Sequence, residues 1–221
     1  NEQQIIANGD RIYAQREKIE AIADSIADSG FDLLLFTSSG GSQAMLDPFA
    51  FYIRHESRLP VENIISADLL SGGCNRITEK TVAFLTSKSG DTEETVKAAR
   101  WLKKQGVRLV SVVGKPDSVL EAVSDDTVVY GEGRPQELVL YLLIGRILYR
   151  SGSFEDYPEF AEELKGLAFA LAQVRKQADE KCRKYAQDYC KEPYNIWVGS
   201  GDLSPMAYSY SMCVLEESQW M

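Results

Sequence analysis

Apolar residues in this chain follow two rhythms that alternate along its length. Over residues 1–30, Ile5-Ile6, Ile12-Tyr13, Ile19, Ile22-Ala23 and Ile26 recur at near-helical spacing, which predicts one helix ended by Gly30. Compact apolar runs then predict short strands at 31–36, 63–68, 82–85, 107–113 and 127–130. Helical spacing returns between them, at 43–54, behind Glu93-Glu94 (Val96, Ala99, Trp101-Leu102), at 118–123 and at 138–149. Residues 69–78 read as a polar connection, 151–157 as a linker, and 159–190 as a long helix stopped by Pro193. Strand and helix in alternation predict an α/β fold with a parallel sheet covered on both faces. Ligands of such sheets bind beyond the carboxyl ends of the strands.

Two of the predicted strands run into turns of unusual composition. Thr86-Ser87-Lys88-Ser89-Gly90-Asp91-Thr92 holds four hydroxyls and a glycine, more than the single cap a helix start requires. Ser38-Ser39-Gly40-Gly41-Ser42 repeats the arrangement after the first strand. A helix N-terminus has unpartnered backbone N–H groups and a positive dipole end, so a hydroxyl-lined turn there suits a tetrahedral oxyanion such as phosphate. The plainer alternative is an ordinary strand-to-helix turn capped by Thr92 or by Ser42. No G-x-x-x-x-G-K-[ST] is present, so neither turn is a nucleotide P-loop.

Ser87-Lys88-Ser89-Gly90-Asp91-Thr92-Glu93-Glu94-Thr95 resembles the S-x-S-G-x-T-x-[ED]-T signature of the sugar isomerase (SIS) domain family, whose members bind phosphorylated sugars. The resemblance implies a flavodoxin-like three-layer sandwich. It further implies that Ser87, Ser89 and Thr92 hold the phosphate, with Lys88 among them. Gly41 and Ser42, with Ser39 as neighbour, would supply donors from the other turn. It also points to a polar side chain at the start of the helix after the last strand, for which Gln136 and Glu137 are the nearest matches. From the residues alone, Glu137 reads first as a first-turn acid complementing the helix dipole. Arg134 is either an anion ligand or a surface arginine.

The tail 194–221 begins the same pattern again. Ile196-Trp197-Val198-Gly199-Ser200-Gly201 resembles the first strand and its turn, and 206–215 has helical spacing. The chain thus reads as a first SIS domain at 1–157, a linking helix at 158–192, and the incomplete beginning of a second such domain at 193–221. Met212-Cys213-Val214-Leu215-Glu216-Glu217-Ser218-Gln219-Trp220 resembles a helix of the bacterial fructosamine-6-phosphate deglycases. That resemblance implies cleavage of a 6-phosphorylated Amadori compound to a hexose 6-phosphate and a free amine. Glu217, with Glu216 second, would be the general base, and a histidine beyond Met221 the acid. A ketosamine must lose a proton from one carbon and gain one at the next before its imine hydrolyses, work suited to a carboxylate of raised pKa in a partly dry pocket. Without the resemblance, both glutamates read as solvated helix residues. An aldose–ketose isomerase and a non-catalytic sugar-phosphate sensor are the competing classes.

Composition narrows the partners. A net charge of −9 and a pI near 4.8 argue against nucleic acid and deny an anionic ligand any long-range attraction. No apolar run reaches membrane-spanning length. Four scattered cysteines and one histidine, His55, make a metal site improbable and suggest reduced thiols of a cytoplasmic protein, with no cofactor implied. His55 reads as a cation at a helix C-terminus. By the resemblance, a neighbouring subunit of a homodimer could present it to the active site.

Overall fold

A computed structural model describes residues 2–133 and 136–217. Its five strands are β1 (Leu33–Phe36), β2 (Val61–Asn63), β3 (Thr81–Ser87), β4 (Arg108–Val113) and β5 (Asp126–Val129). All pair in parallel, in the order β2-β1-β3-β4-β5. Side chains of a strand alternate between faces, and in β1, β3 and β4 both faces are buried, which is why these strands read as apolar runs. Leu34, Phe36, Val82, Phe84, Val110 and Val112 enter one core layer, while Leu35, Ala83, Leu85, Leu109 and Val113 enter the other. Phe36 stacks on Phe84 in the first, with ring centroids 5.1 Å apart.

Helices cover each layer. α2 (Arg16–Ser29), α3 (Gly40–Glu56) and α7 (Gln136–Arg150) contribute Ile19, Ile22, Ile26, Leu46, Ile53, Leu143 and Ile147 to the first. On the other side, α4 (Ser66–Gly72), α5 (Glu93–Lys103) and α6 (Val119–Val123) contribute Leu69, Val96, Ala99, Leu102 and Leu120. Burying a leucine- or isoleucine-sized side chain is worth about 1.5–3 kcal/mol, so these two layers hold the fold.

Four expectations change at their boundaries. Residues 1–30 form two helices, α1 (Glu2–Tyr13) and α2, because each has its own partner: α1 lies on α9 (Leu167–Tyr189) and α2 on α7. Arg11 and Gln15, flanking the break, donate to the carbonyls of Tyr130 and Val129. The strand expected over 63–68 ends at Asn63, because β1 stops at Phe36 and leaves no ladder to pair with, and Ser66 starts a helix. The single helix expected over 159–190 is α8 (Tyr157–Glu163), a tight turn at Leu164–Gly166, and α9. Finally, Ile196-Trp197-Val198 takes no regular structure and belongs to no sheet, since no described strand lies beside it. Ile196 and Val198 are 79% and 89% exposed. The helix expected at 206–215 is present, as α10 (Ser204–Tyr208) continuing in wider π-type turns through Ser209–Glu216.

Asp24 ties α2 to α7. It accepts from Arg146 Nε at 2.8 Å and from a second Arg146 nitrogen at 3.0 Å, and from Arg150 at 2.8 Å. The Arg146 hydrogen bonds, helped by Arg150 and opposed by partial desolvation, hold its carboxyl below the ordinary carboxylate value. A depressed folded-state pKa adds stability that is present above the unfolded value, about 3.9, and is lost as pH falls through the folded one. We expect Asp24→Asn to lower stability at pH 7 by about 1 kcal/mol and to remove part of the loss between pH 4 and pH 2. Urea titrations across that range check it; equal acid sensitivity in the two proteins would dismiss the tie.

Candidate active site

β1 and β3 are neighbours, with Leu33 opposite Thr81 and Phe36 opposite Phe84. The chain leaves them on opposite sides: α3 packs into the first core layer and α5 into the second. In this strand order such a divergence is the topological switch point, where a crevice opens beyond the strand ends. Both hydroxyl-rich turns leave their strands at that edge.

The first turn is anchored at its base. Thr37 N–H donates to Phe84 O at 3.1 Å, Thr37 Oγ1 and Ser66 Oγ lie 3.2 Å apart, and Ser38 Oγ donates to Thr86 O. Thr86 Oγ1 returns a bond to Ser42 O at 3.1 Å. Ser38 N–H donates to the carboxamide oxygen of Gln43 at 2.6 Å. The second turn is wound by Ser87, whose Oγ accepts from Gly90 N–H at 2.9 Å and meets Thr92 Oγ1 at 2.9 Å. Ser89 Oγ takes only a long 3.5 Å contact from Asp91 N–H.

Neither Ser39 nor Thr92 caps its helix with its side chain, although each occupies the N-cap position. Ser39 Oγ instead lies 3.3 Å from Thr95 Oγ1, so the starts of α3 and α5 touch through their hydroxyls. Two positive helix ends, with first-turn N–H groups lacking side-chain caps, thus converge on one crevice. Glu93, in the first turn of α5, is paired along its own helix. Lys97 bonds it at 2.6 Å and holds its carboxyl below the ordinary value, through the hydrogen bond first and charge attraction second.

Other expected residues distribute as follows. Ser42 is half-buried, while Gly41 and Lys88 are exposed beside the crevice. Gln136 and Glu137 open α7; the Gln136 side-chain oxygen is buried without a partner among the described residues, and Glu137 lines a groove with Gln4, Ile5 and Asn8 of α1. Arg134 and Ser218-Gln219-Trp220 lie outside the described residues. His55 is exposed at the far end of α3, stacked on Phe51 with centroids 3.9 Å apart. At 1.5 Å per residue it stands about 20 Å along the helix from Gly41, so within this chain it does not join the hydroxyl turns.

The helix carrying Glu216 and Glu217 runs antiparallel to α3. A Cβ on Gly201 would sit 3.6 Å from the Phe51 ring, and one on Gly41 would sit 3.6 Å from Cys213. Glu216 and Glu217 follow Cys213 by about one turn of that helix. Both are exposed. Among the described residues no three His, Cys, Asp or Glu side chains group closely enough to hold a metal, and no helix is long and apolar enough to cross a membrane.

Sequence reasoning passed over Thr95 and Gln43. Thr95 closes the nine-residue motif and is fully buried, and a hydroxyl on the packed face of an amphipathic helix was the available signal. Gln43, 8% exposed, interrupts an otherwise apolar helix start. Gly90 also does more than relax a turn. It has φ +74°, and a Cβ there would fall 2.3 Å from the Ser118 side chain.

Residues 32–143 match the family model described as the SIS domain. The fructosamine deglycase of Bacillus subtilis (strain 168) is 26% identical over 92% of this chain and 64% of its own length. The isomerizing glutamine–fructose-6-phosphate aminotransferase of Thermococcus kodakarensis is 25% identical over 95% of this chain and 36% of its own. The chain therefore spans less than two thirds of either relative. Among solved structures, a Bacillus subtilis protein assigned to the phosphosugar isomerases superposes with a TM-score of 0.87 at 25% identity, covering 99% of this chain and 67% of that one.

Gly90→Ala should lower stability by about 1–3 kcal/mol and displace the turn from Ser87 to Thr92. Denaturant titration reads the first and amide shifts in the turn read the second; unchanged values for both would contradict the packing described.

Proposed function

We propose, since this chain belongs to the SIS domain family, that its crevice binds the phosphate of a phosphorylated sugar and that the protein is a deglycase of 6-phosphorylated Amadori compounds. One observation carries the reading: the α3 and α5 N-termini, linked by the Ser39–Thr95 contact, open together at the β1/β3 switch point. Donors available to the dianion are the first-turn N–H groups and the hydroxyls of Ser39, Ser42, Ser87, Ser89 and Thr92, with Gly41 allowing close approach. Lys88 is exposed at the rim and can add a charge. Similarity to the fructosamine deglycase supports the choice of substrate class.

In this reading Glu217, with Glu216 beside it, removes a proton from the amine-bearing C1 of the ketosamine. Return of a proton to C2, with the amine N–H proton passing to the C2 oxygen, converts the ketosamine to an aldimine, and water adds to C1 to release the amine and a hexose 6-phosphate. The assignment rests on the resemblance of residues 212–220 to the deglycase helix, and the approach of that helix to the start of α3, at Cys213 and Gly41, supports it. Gln136 and Glu137 stand at the same edge as secondary contacts for the sugar. Residues 193–221 open a second unit of the same kind, and the working assembly is a cytoplasmic homodimer in which a second copy brings its His55 to the site.

Two measurements test this on the full-length protein. Calorimetric titration with glucose 6-phosphate should give binding that Thr92→Val and Ser89→Ala each weaken about tenfold or more, since a hydrogen bond to a charged group is worth about 1.5–3 kcal/mol. No binding by the parent protein would end the reading. Separately, amine release from a synthetic fructosamine 6-phosphate should fall by about 10²–10⁴ in Glu217→Gln while glucose 6-phosphate binding persists. Aldose–ketose interconversion without amine release would replace the deglycase with an isomerase on the same crevice.

A further inference from the structure

We infer that Gln43 is a positioning residue for the first anion-binding turn, set by a polar relay that runs from Asp47 through Asn63 to the Ser38 amide. The inference rests on the phosphate-binding role proposed above and deepens it.

Chemistry fixes the direction of every bond in the relay. Asp47, when ionised, can only accept. Asn63 Nδ2 donates to Asp47 Oδ1 at 2.6 Å, so the Asn63 oxygen faces the other way, toward Gln43 Nε2, which bonds it closely. Gln43 Nε2 also reaches Asp47 Oδ1 at 3.2 Å. Both bonds commit the nitrogen of the Gln43 carboxamide, which leaves its oxygen for the one donor on its other side, Ser38 N–H, at 2.6 Å. Neither amide can be flipped without setting donor against donor at Ser38 or acceptor against acceptor at Asp47.

The relay joins three elements at the sheet's carboxyl edge. Gln43 and Asp47 lie one turn apart on α3, Asn63 ends β2, and Ser38 follows β1. Ser38 is fully buried, and its hydroxyl is spent on Thr86 O. Its N–H must therefore be satisfied from the α3 side or be lost to burial, which costs about 1–3 kcal/mol. With that bond made, the next residue, Ser39, is extended (φ −134°), and its hydroxyl meets Thr95 at the mouth of the crevice. Gln43 thus touches the turn and not the proposed anion.

The test replaces Gln43 in the full-length protein and follows glucose 6-phosphate binding and amine release. Gln43→Met keeps length and removes both polar ends. It should weaken binding about tenfold and raise KM by a similar factor, with kcat changed less than threefold, because the reacting carbons lie away from the phosphate. Gln43→Glu keeps an acceptor for Ser38 but sets a carboxylate against Asp47, the titratable group in contact with it; the facing groups of Asn63 and Ser38 are neutral. Relative to the parent at each pH, which cancels titration of the phosphate itself, its binding should be tenfold weaker at pH 7.5 and recover at least threefold at pH 5, where the new carboxyl can be protonated and donate. A packing role alone predicts no such recovery. If Gln43→Met does not fold, Asn63→Ala, which leaves Ser38 and Gln43 intact and breaks the relay behind them, should weaken binding about threefold. Parent-like binding in Gln43→Glu at both pH values, or a loss confined to kcat, would overturn the inference. Failure of the parent itself to bind would instead remove the phosphate-binding reading on which it stands.

Discussion

Parallel pairing of β1 with β3 is the constraint on which the rest depends. β1 contributes four residues and stops at Phe36, opposite Phe84, while β3 continues through Leu85 and Thr86 to Ser87. The turn leaving β1 therefore lies against the last residues of β3, which is how Thr37 finds Phe84 O and Ser38 finds Thr86 O. A slip of one residue would exchange the two faces of either strand. It would separate the Phe36–Phe84 stack and leave the hydroxyls of the two turns without their counterparts. Core packing thus sets the geometry of the crevice, and apolar burial enforces a polar arrangement.

That arrangement has to work against the charge of the whole. At −9 the protein repels an anion at a distance, but that repulsion is screened beyond about 8 Å at physiological salt. Close contacts are not screened in the same way. Each helix terminus offers an anion about 0.3–1 kcal/mol, rising to about 2 when partly buried, and each hydrogen bond to a charged acceptor about 1.5–3. A few such donors exceed the diffuse repulsion, and Glu93, an acid in the first turn of α5, is already engaged by Lys97. Neutral donors, rather than a basic pocket, are the physical basis of the proposed binding.

Much of this was legible because it is local or periodic. The continuous apolar runs located β1, β3, β4 and β5, while β2 lies at the edge of the run expected to form it, and the density of hydroxyls before Val96 and after Phe36 marked both turns. What the sequence did not disclose depends on partners far along the chain. Nothing near Ala14 or Gln15 announces a helix break; it follows from α1 and α2 meeting different helices, with Gln15 reaching Val129. Ser66 reads as part of a strand until the short β1 ends the ladder. Ile196 to Val198 has strand composition, yet composition supplies no neighbour to pair with. Gln43 looks like a stray polar residue until β2 brings Asn63 beside it. Glu217 is proposed through motif resemblance alone, and nothing local in the sequence says how the last helix packs on α3.

The choice of serine and threonine over lysine and arginine at the mouth has a further consequence. A hydroxyl carries one proton and can accept two, so a pair bonded to each other uses only one of its two protons. Ser39 with Thr95, and Ser87 with Thr92, are such pairs. In each pair one hydroxyl donates to the other, which keeps its own proton for a second acceptor. In the proposed binding an oxyanion can accept a hydrogen bond from that second hydroxyl without breaking the bond that positions the pair. A charged side chain would need a counter-ion when the ligand left, and in a buried cleft that counter-ion would have to be desolvated with it. Paired hydroxyls let the same geometry hold in both states, so little reorganisation stands between the empty crevice and the loaded one.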